Sequence, residues 1–259
     1  MVKISLSLLA SLFIFGCSQN EDLLQKNQLF IPKLIDASKE DIVDLVLQEG
    51  EHQFFSGVYI KTMGINSSYL GPTVRLYKGN VTTIKFTNQL DEDTTIHGHG
   101  LHLDGSIDGG PHQIIKANSS WQIDIPVNQQ ASMSWYHPHL MGKTAEQVYY
   151  GLAGVYLIED ENSKALDLPK TYGLNDIPII IQDRAFSDGE MKKYKPDTDD
   201  MFDGILGDTL VVNGTVNAYH KVPKGWVRLR LLNASNARFY KLFFDKKIPF
   251  YKIATEGGF

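Results

Sequence analysis

The sequence predicts an all-β protein whose first domain is an antiparallel sandwich or barrel. Apolar and polar residues alternate in many short segments, and this period of two is typical of strands with one buried face. Glycine and proline separate the segments at short spacing, as they do in all-β domains. The 259 residues include 42% hydrophobic and 21% charged side chains, which is the composition of a globular protein.

The first series of predicted strands begins near residue 41 and ends at residue 160. Val43, Leu45 and Leu47 are spaced by two and therefore share one face of its first strand. Further strands are expected over residues 73–90, 121–127 and 151–160, with a short helix over residues 142–151.

A second series of strands is predicted over residues 177–183, 208–214 and 226–233. Three or four strands cannot close a sandwich and would leave apolar edges exposed. We therefore expect the second β domain to be incomplete. The predicted organisation is a signal peptide (1–17), a polar tether (18–38), a first domain (39–160), a linker (161–176) and an incomplete second domain (177–259).

The first 17 residues have the pattern of a secretory signal of the bacterial lipoprotein type. Lys3 precedes an apolar run that extends to Phe15, and Cys17 follows it after one glycine. Lipidation of Cys17 would anchor the protein to the outer membrane and place it in the periplasm, with Ser18 favouring that destination. Cleavage to a plainly secreted form is the alternative. No later segment approaches the roughly 20 apolar residues of a membrane-spanning helix.

The charge distribution excludes a nucleic-acid partner. The formal net charge is −5, and no run of lysine or arginine is present. Binding to nucleic acid requires a basic surface against the phosphates.

Arg228 and Arg230 alternate with Val227, Leu229 and Leu231 in the last predicted strand. This alternation predicts that the two arginines lie on the solvated face of that strand.

Four of the eight histidines lie in two His-x-His pairs, His97 with His99 and His137 with His139. In a strand, residues i and i+2 point the same way, so two such strands side by side would bring four imidazoles together. Neutral imidazole is a favoured ligand of copper, zinc and iron. Cys17 is the only cysteine, which excludes a structural zinc site of the thiolate type. His102 and His112 are expected to be exposed or hydrogen-bonded, and His52 and His220 to lie in loops.

The segments around these pairs are TTIHGHGL (94–101), DGGPH (108–112), WYHPHLMGKT (135–144) and GLAGVYLIED (151–160). Together they resemble the N-terminal part of the multicopper oxidases, and most of all the bacterial copper-efflux (cuprous) oxidases. The similarity extends from Val43 to Phe259. It implies a cupredoxin-like Greek-key β-sandwich followed by the start of a second cupredoxin-like domain.

The resemblance also implies a ligand set. His97 corresponds to a ligand of the type 2 copper, and His99, His137 and His139 to ligands of the type 3 copper pair. These residues make up part of the ligand set of a trinuclear copper cluster. Asp108 lies where the family has an acidic residue that delivers protons to bound oxygen. The family reduces dioxygen to water with electrons from a reducing substrate, here Cu(I) or a phenol.

The sequence departs from the family pattern at three points. Gly98 stands where an aromatic residue is usual, and Leu140 and Met141 follow the second pair where a further histidine is common. The third departure is larger, because a type 1 blue copper site needs a cysteine thiolate and none follows Cys17. We therefore expect this chain alone to be inactive and the enzyme to require a further domain.

Two alternatives to an oxidase follow from these departures. The family includes a cell-division protein that keeps the fold without the copper ligands, and retention of the four histidines argues against that reading. The other alternative is a small copper-binding or copper-buffering lipoprotein that uses the four histidines alone.

Overall fold

The structure is a computed structural model that describes residues 26–245 and 248–259. These residues form an all-β fold, as predicted, with two facing sheets in the first domain and a smaller main sheet in the second. The predicted signal peptide and Cys17 lie outside the described residues. No helix in the described part of the chain has the length and apolar content needed to cross a membrane.

The strands of the N-terminal part build two sheets that pack face to face. They are β2 (Leu34–Asp36), β3 (Val43–Phe55), β4 (Val58–Ile65), β5 (Thr73–Tyr77), β6 (Val81–Asn88), β7 (His97–His99), β8 (Ser119–Pro126), β9 (Ser132–His137) and β10 (Gly154–Glu159). The short strand β1 (Asn27–Gln28) precedes them and lies in neither sheet. One sheet has the order β2-β5-β10-β9-β7, and the other has the order β4-β3-β6-β8.

The core of the first domain lies between these two sheets. Val43, Leu45 and Leu47 of β3 are at most 1% exposed and share a cluster with Val74 and Leu76 of β5. Full burial of such a side chain contributes about 1.5–3 kcal/mol. The face predicted for the first strand is therefore confirmed.

The second domain is built around a four-stranded sheet with the order β15-β14-β11-β17. The strands of this domain are β11 (Asp176–Arg184), β12 (Phe186–Ser187), β13 (Glu190–Met191), β14 (Thr209–Val212), β15 (Thr215–Val216), β16 (Ala218–Tyr219) and β17 (Arg228–Asn233). Outside the four-stranded sheet, β12 pairs with β13 and β16 pairs with β1.

The helices in the described part of the chain are α1 (Thr144–Tyr150), α2 (Glu161–Ala165) and α3 (Thr198–Asp203), and a 3-10 turn lies at Ala37–Lys39.

The predicted short helix over residues 142–151 is confirmed as α1. Its C-cap residue is Gly151, which has a φ of 121°. A Cβ at this position would lie 2.4 Å from the carbonyl oxygen of Met63. Only glycine combines this backbone conformation with this close approach.

Strand β10 joins the two domains because it is buried on both faces. Tyr156 belongs to the core of the first domain. Val155 and Leu157, on the opposite face, pack in a second cluster with Ile180 and Val211 of the second domain. The second domain therefore covers the outer face of the sheet that carries β7 and β9.

The described part of the predicted tether is not a free linker. β1 pairs with β16 of the second domain, and β2 pairs with β5 of the first. Leu29 between them is only 5% exposed. Polar composition suggested a tether, but pairing of two short strands depends on main-chain groups, which polar side chains do not prevent.

The predicted orientation of β17, with its arginines facing solvent, is wrong for Arg230. Arg230 is 8% exposed, whereas Leu229 and Leu231 are 39% and 47% exposed. The Arg230 guanidinium donates to both carboxylate oxygens of Asp176 at 2.6 and 2.8 Å. This bidentate pairing compensates the buried charge, and alternation alone does not reveal it.

Candidate metal centre

The four histidines of the two pairs converge at one edge of the five-stranded sheet. β7 and β9 are antiparallel, with His97 directly opposite His137, so the two side chains project on the same face. The His97 ring centroid lies 5.7, 5.6 and 5.2 Å from those of His99, His137 and His139. The structure thus brings together the residues that the His-x-His spacing predicted.

Three of these histidines can direct nitrogen atoms at a common point. One ring nitrogen from each of His97, His99 and His137 lies within 4.8 Å of the others. His99 Nδ1 is 3.2 Å from His137 Nε2. Imidazole nitrogens grouped in this way suit copper or another transition metal.

Carbonyl groups next to the histidines set the ring tautomers. His97 Nδ1 lies 2.9 Å from the carbonyl oxygen of Asp108, and His137 Nδ1 lies 2.8 Å from that of Pro138. Because a carbonyl oxygen only accepts, these contacts place the proton on Nδ1 in both rings. Nε2 of both residues is left with a free lone pair, which is the form a metal requires.

His137 is the most buried of the four, at 6% exposure. Its ring stacks on Trp135 with a centroid separation of 3.9 Å. Burial disfavours the charged form and, with the neighbouring histidines adding a smaller effect, lowers the pKa of His137 to about 3. At neutral pH this side chain is therefore a neutral ligand.

The depressed pKa of His137 predicts that the metal-free chain loses stability in acid. In the unfolded chain the pKa returns to about 6.5, so between pH 6.5 and about 3 the unfolded state binds one proton more. The stability is fully present above pH 6.5 and falls on acidification by up to about 1.4 kcal/mol per pH unit. Urea unfolding at several pH values measures this, and His137→Gln should remove that part of the slope. An identical slope in both proteins would contradict the prediction.

His139 lies beside the group of three and not within it. Its side chain is exposed, and its ring centroid is 6.1 Å from that of His137. The His139 main-chain N–H donates to Thr95 Oγ1 at 2.7 Å. Thr95 is fully buried, so it fixes the loop that carries His139 against the segment leading into β7. Sequence reasoning missed Thr95, because nothing in the pattern of a lone threonine indicates its partner.

Helix α1 supports the same segment from the other side. Thr94 Oγ1 donates to Gln147 Oε1 at 2.8 Å, and Gln147 Nε2 donates to Glu92 Oε1 at 3.0 Å. Gln147 is fully buried. These hydrogen bonds fix the segment before β7 to α1 and so help to position the first histidine pair.

Asp108 lies against the first pair, as its place in the sequence suggested. Its Oδ2 is 3.2 Å from His97 Nδ1, and its carbonyl oxygen accepts from the Gly98 N–H at 3.2 Å. Gly109 has a φ of 73°, and a Cβ there would lie 1.7 Å from the carbonyl oxygen of Ile96. Glycine at this position lets the turn approach β7 closely, so that Asp108 contacts the strand.

The remaining histidines lie outside the centre. His102 and His112 are exposed, and the described group of three includes neither. The loop predicted for His52 is wrong, because His52 lies within β3. Its Nε2 is 2.7 Å from the Gly214 carbonyl oxygen and its ring stacks on Tyr69, so it is a contact between the domains. His220 lies in a loop after β16, as predicted.

Comparison with known proteins identifies the family. The sequence model of the multicopper oxidases matches residues 47–163. The multicopper oxidase mco of Staphylococcus aureus is 44% identical over 237 residues, which cover 90% of this chain and 52% of that protein. The chain belongs to the multicopper oxidase family. The cell division protein FtsP of Xenorhabdus nematophila is also similar, with 41% identity over 234 residues, 90% of this chain and 49% of that protein.

Solved structures of multicopper oxidases agree with the fold. The laccase-like multicopper oxidase CueO from Ochrobactrum sp. matches with a TM-score of 0.78 and 42% identity, over 81% of this chain and 47% of that protein. The multicopper oxidase from Pediococcus acidilactici matches with a TM-score of 0.77 and 38% identity, over 82% of this chain and 45% of that protein. The chain thus spans about half the length of the relatives it matches.

Membership of the multicopper oxidases implies copper, and the donor set fits it. The centre offers three convergent imidazoles, with carbonyl contacts that leave lone pairs on His97 and His137. Neutral imidazole is a good ligand for copper. The described residues include no cysteine, so they contain no thiolate for a blue copper site.

Proposed function

We propose that this chain is the N-terminal half of a multicopper oxidase that couples one-electron oxidation of a substrate to the reduction of dioxygen to water. The convergence of the His97, His99 and His137 nitrogens within 4.8 Å, with His139 beside them, carries the proposal. Copper bound there would supply the redox chemistry toward dioxygen. The reducing substrate, Cu(I) or a phenol, would be oxidised in a part of the enzyme outside this chain.

The roles follow the positions of the four imidazoles. His97 would serve the type 2 copper, and His99, His137 and His139 would serve the type 3 pair, as part of the ligand set of a trinuclear cluster. Asp108 would move protons toward reduced oxygen, since its carboxylate lies 3.2 Å from His97 Nδ1 and is 30% exposed. A carboxylate exposed to water can take a proton from solvent and release it to a neighbouring water. The Nδ1–H of His97 would hold the carboxylate in place and would not itself relay the proton.

A non-catalytic function is the second candidate. The similarity to the cell division protein FtsP is nearly as high as that to the oxidases, which favours it. A copper-buffering lipoprotein would use the same histidines without oxygen chemistry. A copper-binding measurement distinguishes an FtsP-like role without a metal centre from the oxidase and the copper-buffering lipoprotein. Oxygen consumption then distinguishes the oxidase from the copper-buffering lipoprotein.

Copper titration of this chain tests the metal centre. We expect the chain to bind copper with nitrogen hyperfine structure in its electron paramagnetic resonance spectrum, because imidazoles are the ligands. Replacing both His97 and His137 with alanine should weaken binding by at least about 100-fold, more than the loss of an outer-shell partner. His102→Ala with His112→Ala is the matched control, since both residues are exposed and outside the centre. Equal copper binding by the two double variants would contradict the proposal.

We also propose that the protein is periplasmic and lipid-anchored through Cys17. Cys17 follows an apolar run with a basic start, which is the arrangement of a lipoprotein signal. Cys17→Ala should move the protein from the membrane fraction to the soluble fraction or leave its signal uncleaved, and should remove the lipid mass from its N-terminal peptide. Ser18→Ala is the control and should leave the lipid in place. An unmodified Cys17 in the native protein would contradict the proposal.

A further inference from the structure

A carboxylate from the second domain reaches the metal centre of the first. Glu256 Oε1 lies 3.4 Å from His99 Nε2. Glu256 belongs to a tight turn in which the Thr255 N–H donates to the Gly258 carbonyl at 2.9 Å and the reverse bond measures 3.2 Å. Neither the His-x-His motifs nor Asp108 accounts for this contact.

The turn is held on the first domain at a second point. Gln130 Nε2 donates to the Gly257 carbonyl oxygen at 2.8 Å. A Cβ at Gly258 would lie 2.4 Å from Gln130 Nε2, so the glycine lets the turn approach closely. This hydrogen bond at the residue after Glu256 therefore holds the turn close to His99.

Gly100 provides the space that the carboxylate occupies. It has a φ of 79°, and a Cβ there would lie 3.0 Å from Glu256 Oε1. A side chain at this position would meet the carboxylate and would also strain the backbone. The glycine directly after the first histidine pair is thus part of the contact.

His99 has the opposite ring orientation to its two partners. Its Nδ1 faces His137 Nε2 at 3.2 Å, and its Nε2 faces Glu256. In the metal-free chain the Nδ1–H of His99 donates to the lone pair of His137 Nε2. A metal bound at Nδ1 would place the His99 proton on Nε2, where Glu256 accepts it. Metal-bound histidines commonly have such a carboxylate on the far nitrogen.

We propose that Glu256 is a positioning residue for His99, so that the second domain contributes to the metal centre of the first. The inference rests on the proposed function, which assigns His99 as a copper ligand. The side chains of His99 and Glu256 are 45% and 61% exposed, so water weakens the contact. The effect on copper affinity is accordingly at or below the lower end of that for outer-shell partners, about 3- to 10-fold.

The test compares Glu256→Ala with Glu190→Ala, a matched change of an exposed glutamate away from the centre. In the chain loaded with Cu(I), long-range ¹H–¹⁵N correlation should show His99 with its proton on Nε2. The Glu256→Ala variant should change the Nε2 chemical shift of this ring in both the loaded and the metal-free chain, and Glu190→Ala should not. Copper affinity should fall about 3- to 10-fold only in Glu256→Ala. In a His99→Ala background, Glu256→Ala should have no further effect.

An unchanged His99 Nε2 chemical shift together with unchanged copper affinity in Glu256→Ala would overturn the inference. An affinity loss of the same size in the His99→Ala background would also overturn it, because the effect would then not act through His99. If the chain binds no copper at all, the proposed function fails. The Nε2 chemical shift of His99 in the metal-free chain still tests the contact between Glu256 and His99 in that case.

Discussion

In the full-length enzyme of the proposed function, replacing His139 with alanine is expected to abolish dioxygen reduction while leaving the fold intact. His139 is exposed and its ring lies 5.2 Å from that of His97, so the substitution removes a proposed ligand without opening a cavity in the core. Its main-chain N–H still donates to Thr95, and the loop stays in place. Oxygen uptake with Cu(I) or a phenol should fall by at least about 100-fold, since even outer-shell partners of a metal give 10- to 100-fold effects.

The matched control is His102→Ala, which changes an exposed histidine in the neighbouring loop. Both variants should unfold within about 0.5 kcal/mol of the parent protein, as is usual for surface substitutions. His97→Ala should behave like His139→Ala in oxygen uptake, because both are proposed ligands of the same cluster. Full activity in either ligand variant would show that the assignment is wrong.

Replacing Asp176 with asparagine is expected to destabilise the chain by about 3–5 kcal/mol. Asp176 is 1% exposed and accepts two bonds from Arg230, at 2.6 and 2.8 Å. The substitution leaves a buried guanidinium with only Glu159 nearby, at 3.8 Å. Denaturant unfolding at neutral pH measures the loss.

Two further variants define the cause of this loss. Asp176→Leu combined with Arg230→Met removes both charges and should restore most of the stability, because an apolar pair of similar volume can replace a buried ion pair. Glu161→Gln breaks the exposed pair with Lys164, whose side chains are 92% and 52% exposed, and should cost less than about 1 kcal/mol. Similar losses from Asp176→Asn and Glu161→Gln would contradict the argument.

The alternation of side chains was sufficient to predict the main features of the first domain. Val43, Leu45 and Leu47 face the core, as a period of two requires. The same period placed His97 and His99 on one face, and pairing of β7 with β9 brings His137 to them. The alternation of side chains along each strand was sufficient here because all the residues on one face of the strand have the same surroundings.

The long-range contacts of buried or bridging polar side chains could not be predicted in this way. His52, Arg230 and Glu256 each have a partner more than 50 residues away in the chain or in the other domain. Their side chains are polar, so alternation assigns them to solvent or to loops. Whether a polar side chain is buried depends on whether a partner meets it there, and only the assembled fold contains that information.

The pairing of β1 with β16 has a consequence for the order of folding. The Asn27 side chain donates to the Val216 carbonyl, a contact across 189 residues. The strand pairs within the first sandwich close much shorter loops, and the entropic cost of closing a loop rises with its length. We therefore expect β1 to dock onto β16 late in folding, after the first sandwich and the strand β16 have formed.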